Sequence, residues 1–172
     1  MRLFIALPVP ADAKRRLTGT QAALLKKGAR GRAVPPENLH LTLAFLGSVP
    51  DPAPAIEALK AVPAPESALS FEKLSLFGDV TVALFLRDAA LDAYVRDLRA
   101  ALDQAGISYD RQAFRPHVTL LRKTALPANL WLASFEPRLQ TLTLPVKEVR
   151  LMQSDLSGEA PEYTAIYIRK TR

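Results

Sequence analysis

Residues 38–47 read Asn38-Leu39-His40-Leu41-Thr42-Leu43-Ala44-Phe45-Leu46-Gly47, and residues 114–122 read Phe114-Arg115-Pro116-His117-Val118-Thr119-Leu120-Leu121-Arg122. Each stretch carries one of the chain's two histidines, and each histidine opens the same pattern, His-apolar-Thr-Leu. The copies begin at positions 40 and 117, close to half of the 172-residue chain apart, and each follows a proline-containing loop, Pro35-Pro36 in one case and Pro116 in the other. Such self-similarity reads as a duplicated half-unit. In an extended strand the side chains at i and i+2 share a face. His40 and Thr42 therefore point one way while Leu41 and Leu43 point into the opposite layer, and His117 and Thr119 repeat the arrangement.

Outward from these stretches the chain alternates between strands and helices. Residues 2–7 read as a buried strand; Pro10 then suits the first turn of a helix with Ala13, Leu17 and Leu24 on one face, stopped by Gly28. The segment 29–37 is basic and Pro-rich, with Arg30 and Arg32, and is expected to cross the surface before a strand over 39–46. Ile56, Leu59 and Val62 predict a short second helix within 51–62. Leu69, Phe71, Leu74 and Leu76 lead into Phe77-Gly78-Asp79-Val80, after which Val82, Leu84 and Leu86 alternate again, the pattern of a hairpin with a tight Gly-Asp turn. Asp88 is a good N-cap for a third helix whose Leu91, Val95, Leu98, Leu102 and Ala105 form one stripe up to Gly106. Residues 116–121, 141–152 and 163–169 read as further strands, separated by loops around Pro127 and Ser157-Gly158. Hairpins beside helices argue for an α+β fold with antiparallel sheets, and no linker divides residues 1–172 into separate domains.

Composition narrows the chemistry. With 49% hydrophobic residues the chain can build a substantial core. Cysteine is absent, which excludes disulfides, thiolate metal sites and thiol nucleophiles. The amino-terminal apolar run is too short for a signal peptide, and nothing approaches the ~18 apolar residues of a membrane span, so a soluble cytoplasmic protein is expected. Twenty-three Lys and Arg against seventeen Asp and Glu give a net charge of +6, which favours a polyanionic partner such as RNA without demanding one.

Two strands that each present an imidazole beside a hydroxyl, facing each other across a cleft, suit phosphodiester cleavage without a metal. One imidazole takes a proton from the attacking oxygen, the other protonates the leaving oxygen, and the threonines donate hydrogen bonds to phosphoryl oxygens. A lone strand histidine is more often a hydrogen-bonded structural residue, but the shared pattern of the only two argues against that for both. Two imidazoles also fit part of a metal site; such sites usually need a third protein ligand, and neither tetrapeptide contains Asp or Glu.

In these motifs, together with Arg2-Leu3-Phe4-Ile5-Ala6-Leu7 at the start, the chain resembles the two-histidine phosphoesterases over nearly its full length. Within them it resembles the bacterial and archaeal RNA 2′,3′-cyclic phosphodiesterases, often named 2′-5′ RNA ligases. The resemblance implies a bilobal fold, with two antiparallel sheets flanking a central cleft, helices outside, and two similar lobes built around the His40 and His117 strands. It implies His40 as proton donor, His117 as proton acceptor, no cofactor and no metal. The expected partners are RNA ends or nucleotides bearing a 2′,3′-cyclic phosphate, bound by a monomer and hydrolysed to a 2′-phosphomonoester. Arg122 looks like the arginine that follows the second motif, although strict alternation puts it on the face opposite His117 unless the strand ends or bulges there. Phe4, Phe45, Arg115 and Tyr163 are further candidates to meet a base or a phosphate. The alternatives are a ligase running the same chemistry backwards, and a non-catalytic module that binds nucleotides or RNA ends.

Overall fold

The computed structural model describes residues 1–171 as two antiparallel sheets with three α-helices packed against them. The strands are β1 (Arg2–Pro8), β2 (Arg30–Ala33), β3 (His40–Ser48), β4 (Ser67–Phe77), β5 (Val80–Phe85), β6 (His117–Ala125), β7 (Thr143–Val146), β8 (Glu148–Asp155) and β9 (Glu162–Lys170). The helices are α1 (Ala11–Lys26), α2 (Ala53–Ala61) and α3 (Ala89–Gln104). One sheet has the order β3-β1-β8-β9 and the other β2-β6-β5-β4-β7. The expected α+β class with antiparallel pairing is what forms.

The helices are exchanged between the sheets. Although α1 follows β1 of the four-stranded sheet, it packs against β2 and β6 of the five-stranded one. Conversely α3 follows β5 but packs with α2 over the four-stranded sheet, α3 touching β3 and α2 touching β9. The stripe predicted for α3 is its buried face, with Leu91, Val95, Leu98 and Leu102 all inside. Its start is fixed as expected, because the Asp88 carboxylate accepts from the Leu91 amide at 2.9 Å and from the Ser67 hydroxyl at 2.6 Å. A single buried cluster then runs through both sheets, from Leu3, Ile5 and Leu41 to Phe85, Val118 and Leu144.

Two expectations need correction. Residues 141–152 are not one strand: β7 pairs with β4 in one sheet and β8 pairs with β1 and β9 in the other, with Lys147 between them. The sequence carries the reason, since Leu142, Leu144 and Val146 are buried at even positions and Val149 and Leu151 at odd ones. The alternation changes phase where the chain changes sheets. The basic segment 29–37 also contains β2, an edge strand that is mostly exposed and so shows no apolar alternation. Among the described residues, no helix is long and apolar enough to cross a membrane.

Gly31 sets how closely β2 approaches β6. Its φ is +152°, and a Cβ there would stand 2.8 Å from the Arg122 carbonyl oxygen. Gly31→Ala is therefore expected to destabilise the protein by about 1–3 kcal/mol in urea or thermal unfolding. A variant as stable as the parent would mean that β2 moves off the sheet without consequence.

Candidate active site

The two histidine strands lie against each other across a cleft between the sheets. β3 is the edge of the four-stranded sheet, and β6 lies between β2 and β5 in the other. Alternation works as expected at the start of each: His40, Thr42, His117 and Thr119 all line the cleft, whereas Leu41, Val118 and Leu120 are buried behind them; Leu43 is buried too but touches the lining.

Both strands then break alternation at the same place. On β3, Thr42 pairs with Ala6 and Ala44 with Ile5, so Leu43 has no partner residue on β1. On β6, Thr119 pairs with Val82 and Leu121 with Thr81, so Leu120 is likewise passed over. Each break is a one-residue bulge three positions after the histidine. An inserted residue reverses the faces beyond it, so the fifth residue after each histidine returns to the cleft. These residues are Phe45 and Arg122, and both line the cavity.

Each imidazole is held by the carbonyl two residues before it: His40 Nδ1 lies 2.7 Å from the Asn38 oxygen, and His117 Nδ1 lies 2.7 Å from the Arg115 oxygen. A carbonyl only accepts, so Nδ1 carries the proton in both rings and Nε2 is the atom free for chemistry. His40 Nε2 is 3.0 Å from the Thr42 hydroxyl. The anchoring carbonyls are themselves tied down. Asn38 donates from its buried side chain to the Pro161 carbonyl at 2.8 Å. The Arg115 guanidinium donates to the Phe85 carbonyl at 3.1 Å and pairs with the Glu72 carboxylate. This corrects the expectation for Arg115: its side chain is spent on Glu72 and Phe85, away from the cavity lining, and what it offers the site is its backbone oxygen.

An aromatic group surrounds His40. The buried Phe4 ring is 4.9 Å from the imidazole, Tyr163 meets it edge-on at 5.4 Å, and Phe45 stands 5.8 Å from Phe4. Phe45 is 45% exposed, which leaves a ring face open to a ligand. Phe77 is an aromatic neighbour of His117, at 5.1 Å. The sequence reading passed over Phe77, Arg2, Arg99 and Gln112, which also line the cavity of about 530 Å³. Arg2 was recoverable, because it lies two residues before Phe4 on one strand face. Nothing local marks Arg99, on a helix, or Phe77, at a hairpin end, as cleft residues. Among the described residues, no three His, Asp or Glu side chains gather closely enough to hold a metal ion.

Both imidazoles titrate below their ordinary value of 6.5. Burial is the main cause in each, since it penalises the imidazolium; the hydrogen bonds to the Asn38 and Arg115 carbonyls oppose it in part. The positive charge of Arg122 pushes both further down, joined by His117 acting on His40 and by Arg115 acting on His117.

The family model of the LigT-like phosphoesterases matches residues 7–83 and 85–163. An RNA 2′,3′-cyclic phosphodiesterase of Thermus thermophilus is 30% identical over 96% of this chain and 88% of its own length. A protein of the same name from Geobacillus stearothermophilus is 35% identical over 70% of this chain, a match that spans only 41% of that longer protein. The crystal structure of Escherichia coli LigT with 3′-AMP superposes with a TM-score of 0.77 at 26% identity, covering 99% of this chain and 96% of that one. The chain belongs to the LigT-like phosphoesterases.

Because Arg122 lowers both imidazoles, Arg122→Gln is expected to raise the titration midpoints of His40 and His117 together. With two histidines in the chain, each midpoint is readable by NMR from its own imidazole resonance. Midpoints that stay put or fall would remove Arg122 from the electrostatics of the site.

Proposed function

We propose that this protein hydrolyses the 2′,3′-cyclic phosphate at an RNA end to a 2′-phosphomonoester, with His40 as general acid and His117 as general base. The observation that carries the reading is the pair of imidazoles, each with Nδ1 bound to its own backbone, lining one cleft with Thr42, Thr119 and Arg122. The relatives' name and the 3′-AMP bound to LigT support a nucleotide phosphate as the ligand. His117 Nε2 takes a proton from water as the water oxygen bonds to phosphorus. The bond from phosphorus to the 3′ oxygen breaks, and His40 Nε2–H gives its proton to that oxygen. Thr42, Thr119 and Arg122 hold the non-bridging oxygens, where the negative charge increases in the transition state.

The contact between Thr42 and His40 suits this sequence. With His40 neutral, the Thr42 hydroxyl donates to Nε2; once Nε2 is protonated the hydroxyl can only accept there, so its own proton is freed for the phosphate. With a 5′-hydroxyl of a second RNA in place of water, the same groups open the cyclic phosphate to a 2′-5′ linkage, so hydrolase and ligase differ by nucleophile rather than by residues. The continuous core and the repeated bulge support one domain of two similar lobes.

Purified protein incubated with a 2′,3′-cyclic-ended RNA in excess EDTA is expected to yield a 2′-phosphate and a free 3′-hydroxyl. His40→Ala and His117→Ala are each expected to lower turnover about 10²–10⁴-fold, with smaller losses for the two threonine variants. A 3′-phosphate product would exchange the roles of the histidines. Activity lost to EDTA and restored by a divalent metal would overturn the metal-independent mechanism.

A further inference from the structure

The cleft extends beyond the groups that a single cyclic phosphate needs. Past Phe4 and Phe45 its lining continues to Arg2, Arg99, Gln112 and Ser154. Arg2 shares a face of β1 with Phe4, and β1 runs in unbroken register with β8 from Arg2 to Ala6, placing Arg2 opposite Ser154. The strand repeat sets it about 6.7 Å beyond Phe4, a step comparable with the phosphate-to-phosphate repeat of an extended single strand. Arg99, on α3, lines the same cavity. Its Nη2 donates to the Gln112 carbonyl at 2.8 Å and its guanidinium lies 5.4 Å from the centre of the Tyr109 ring, while its buried Nε has no partner.

Neither arginine takes part in an ion pair among the described residues. The one carboxylate in the lining, Asp110, accepts instead from the Gln112 amide at 3.0 Å. The lining therefore holds two guanidinium groups with no ion-pair partner among the described residues, which an anion would compensate. The histidine end of the cleft has its own cation in Arg122, so an anion at Arg2 and Arg99 is a separate one.

We propose that Arg2 and Arg99 form a subsite for the phosphate on the 5′ side of the terminal nucleotide, so that the cleft takes oligoribonucleotide ends in preference to single nucleosides bearing a 2′,3′-cyclic phosphate. The proposal rests on the cyclic phosphodiesterase reading of the histidine site. The terminal nucleoside spans the aromatic platform, its cyclic phosphate at His40, His117 and Arg122 and its 5′ phosphate at Arg2 and Arg99. The subsite adds affinity without entering the chemistry, so its effect belongs in KM rather than kcat.

The test compares adenosine 2′,3′-cyclic phosphate with its 5′-phosphorylated form, which adds only the second phosphate. The protein is expected to favour the 5′-phosphorylated substrate about tenfold in kcat/KM, as one charge-assisted contact allows. In Arg2→Gln the ratio is expected to fall to within about twofold of unity, with Arg99→Gln doing the same and Arg99→Lys retaining part of it. A ratio near one in the parent protein, or a ratio that survives both glutamine variants, overturns the subsite while leaving the cyclic phosphodiesterase reading intact. If neither substrate is turned over, that reading fails instead. The subsite is then judged by calorimetry with adenosine 2′,5′-bisphosphate against adenosine 2′-monophosphate, with the same tenfold preference and the same loss in Arg2→Gln expected, and equal affinities overturning it.

Discussion

The hydrogen bond from each imidazole to the backbone carbonyl two residues earlier is the constraint on which the site depends. A neutral imidazole has two tautomers and a ring that can turn over, and the carbonyls of Asn38 and Arg115 select one arrangement for each. A net hydrogen bond of about 1 kcal/mol biases such a choice by several-fold, and two independent choices multiply. That bias holds only while the carbonyls stay in place. On the His40 side the Asn38 amide reaches the Pro161 carbonyl just before β9; on the His117 side Arg115 reaches Glu72 of β4 and the Phe85 carbonyl of β5. Each histidine is thus positioned by a chain of contacts that ends in, or one residue before, a different strand of its own sheet.

The second constraint is the bulge. Had β3 and β6 kept strict alternation, the residues on the cleft face after the threonines would have been Ala44 and Leu121, both buried and apolar. The inserted Leu43 and Leu120 turn Phe45 and Arg122 into the cleft instead, with Ala44 touching the lining only as a small buried side chain. One backbone device, used twice, thereby gives the two halves of the cleft different chemistry: an aromatic platform beside His40 and a cation beside His117. A nucleotide has the same asymmetry, with a flat base at one side and a phosphate at the other, so the departure from symmetry between the copies matters as much as the repeat.

Most of the framework was legible because periodicity reports burial. The α3 stripe, its Asp88 cap and the Gly78-Asp79 hairpin emerged where they were expected. The failures have physical causes of their own. β2 escaped notice because an edge strand with exposed arginines has no apolar face to read, and 141–152 merged two strands because a phase change at Lys147 is only one residue long. The histidines and threonines were readable from alternation alone. Arg122 was not, since its direction depends on a bulge that the run Leu120-Leu121 permits but does not require. Arg115 misled for the opposite reason: a guanidinium beside a motif histidine suggests phosphate, whereas a facing carboxylate on β4, invisible in sequence, claims it.

Arg122 has opposed effects that the proposed reaction reconciles. Its charge adds to burial in favouring neutral imidazoles at both positions, which suits His117 as a base and not His40 as an acid. A cyclic phosphate brings one negative charge beside Arg122, cancelling its field at the imidazoles and adding its own attraction for a proton. The proton so favoured cannot rest on both rings, because their positive charges repel in a cleft screened from water. His40 has the surroundings that suit holding it, a hydroxyl at 3.0 Å able to accept from Nε2–H and the face of Phe4 at 4.9 Å. His117 makes no such hydrogen bond from Nε2 among the described residues, and the charges of Arg115 and Arg122 both oppose a proton on it. In the proposed reaction, substrate binding would thus create the protonation state that is needed, one imidazolium and one free base, from a site in which neither imidazole favours the proton.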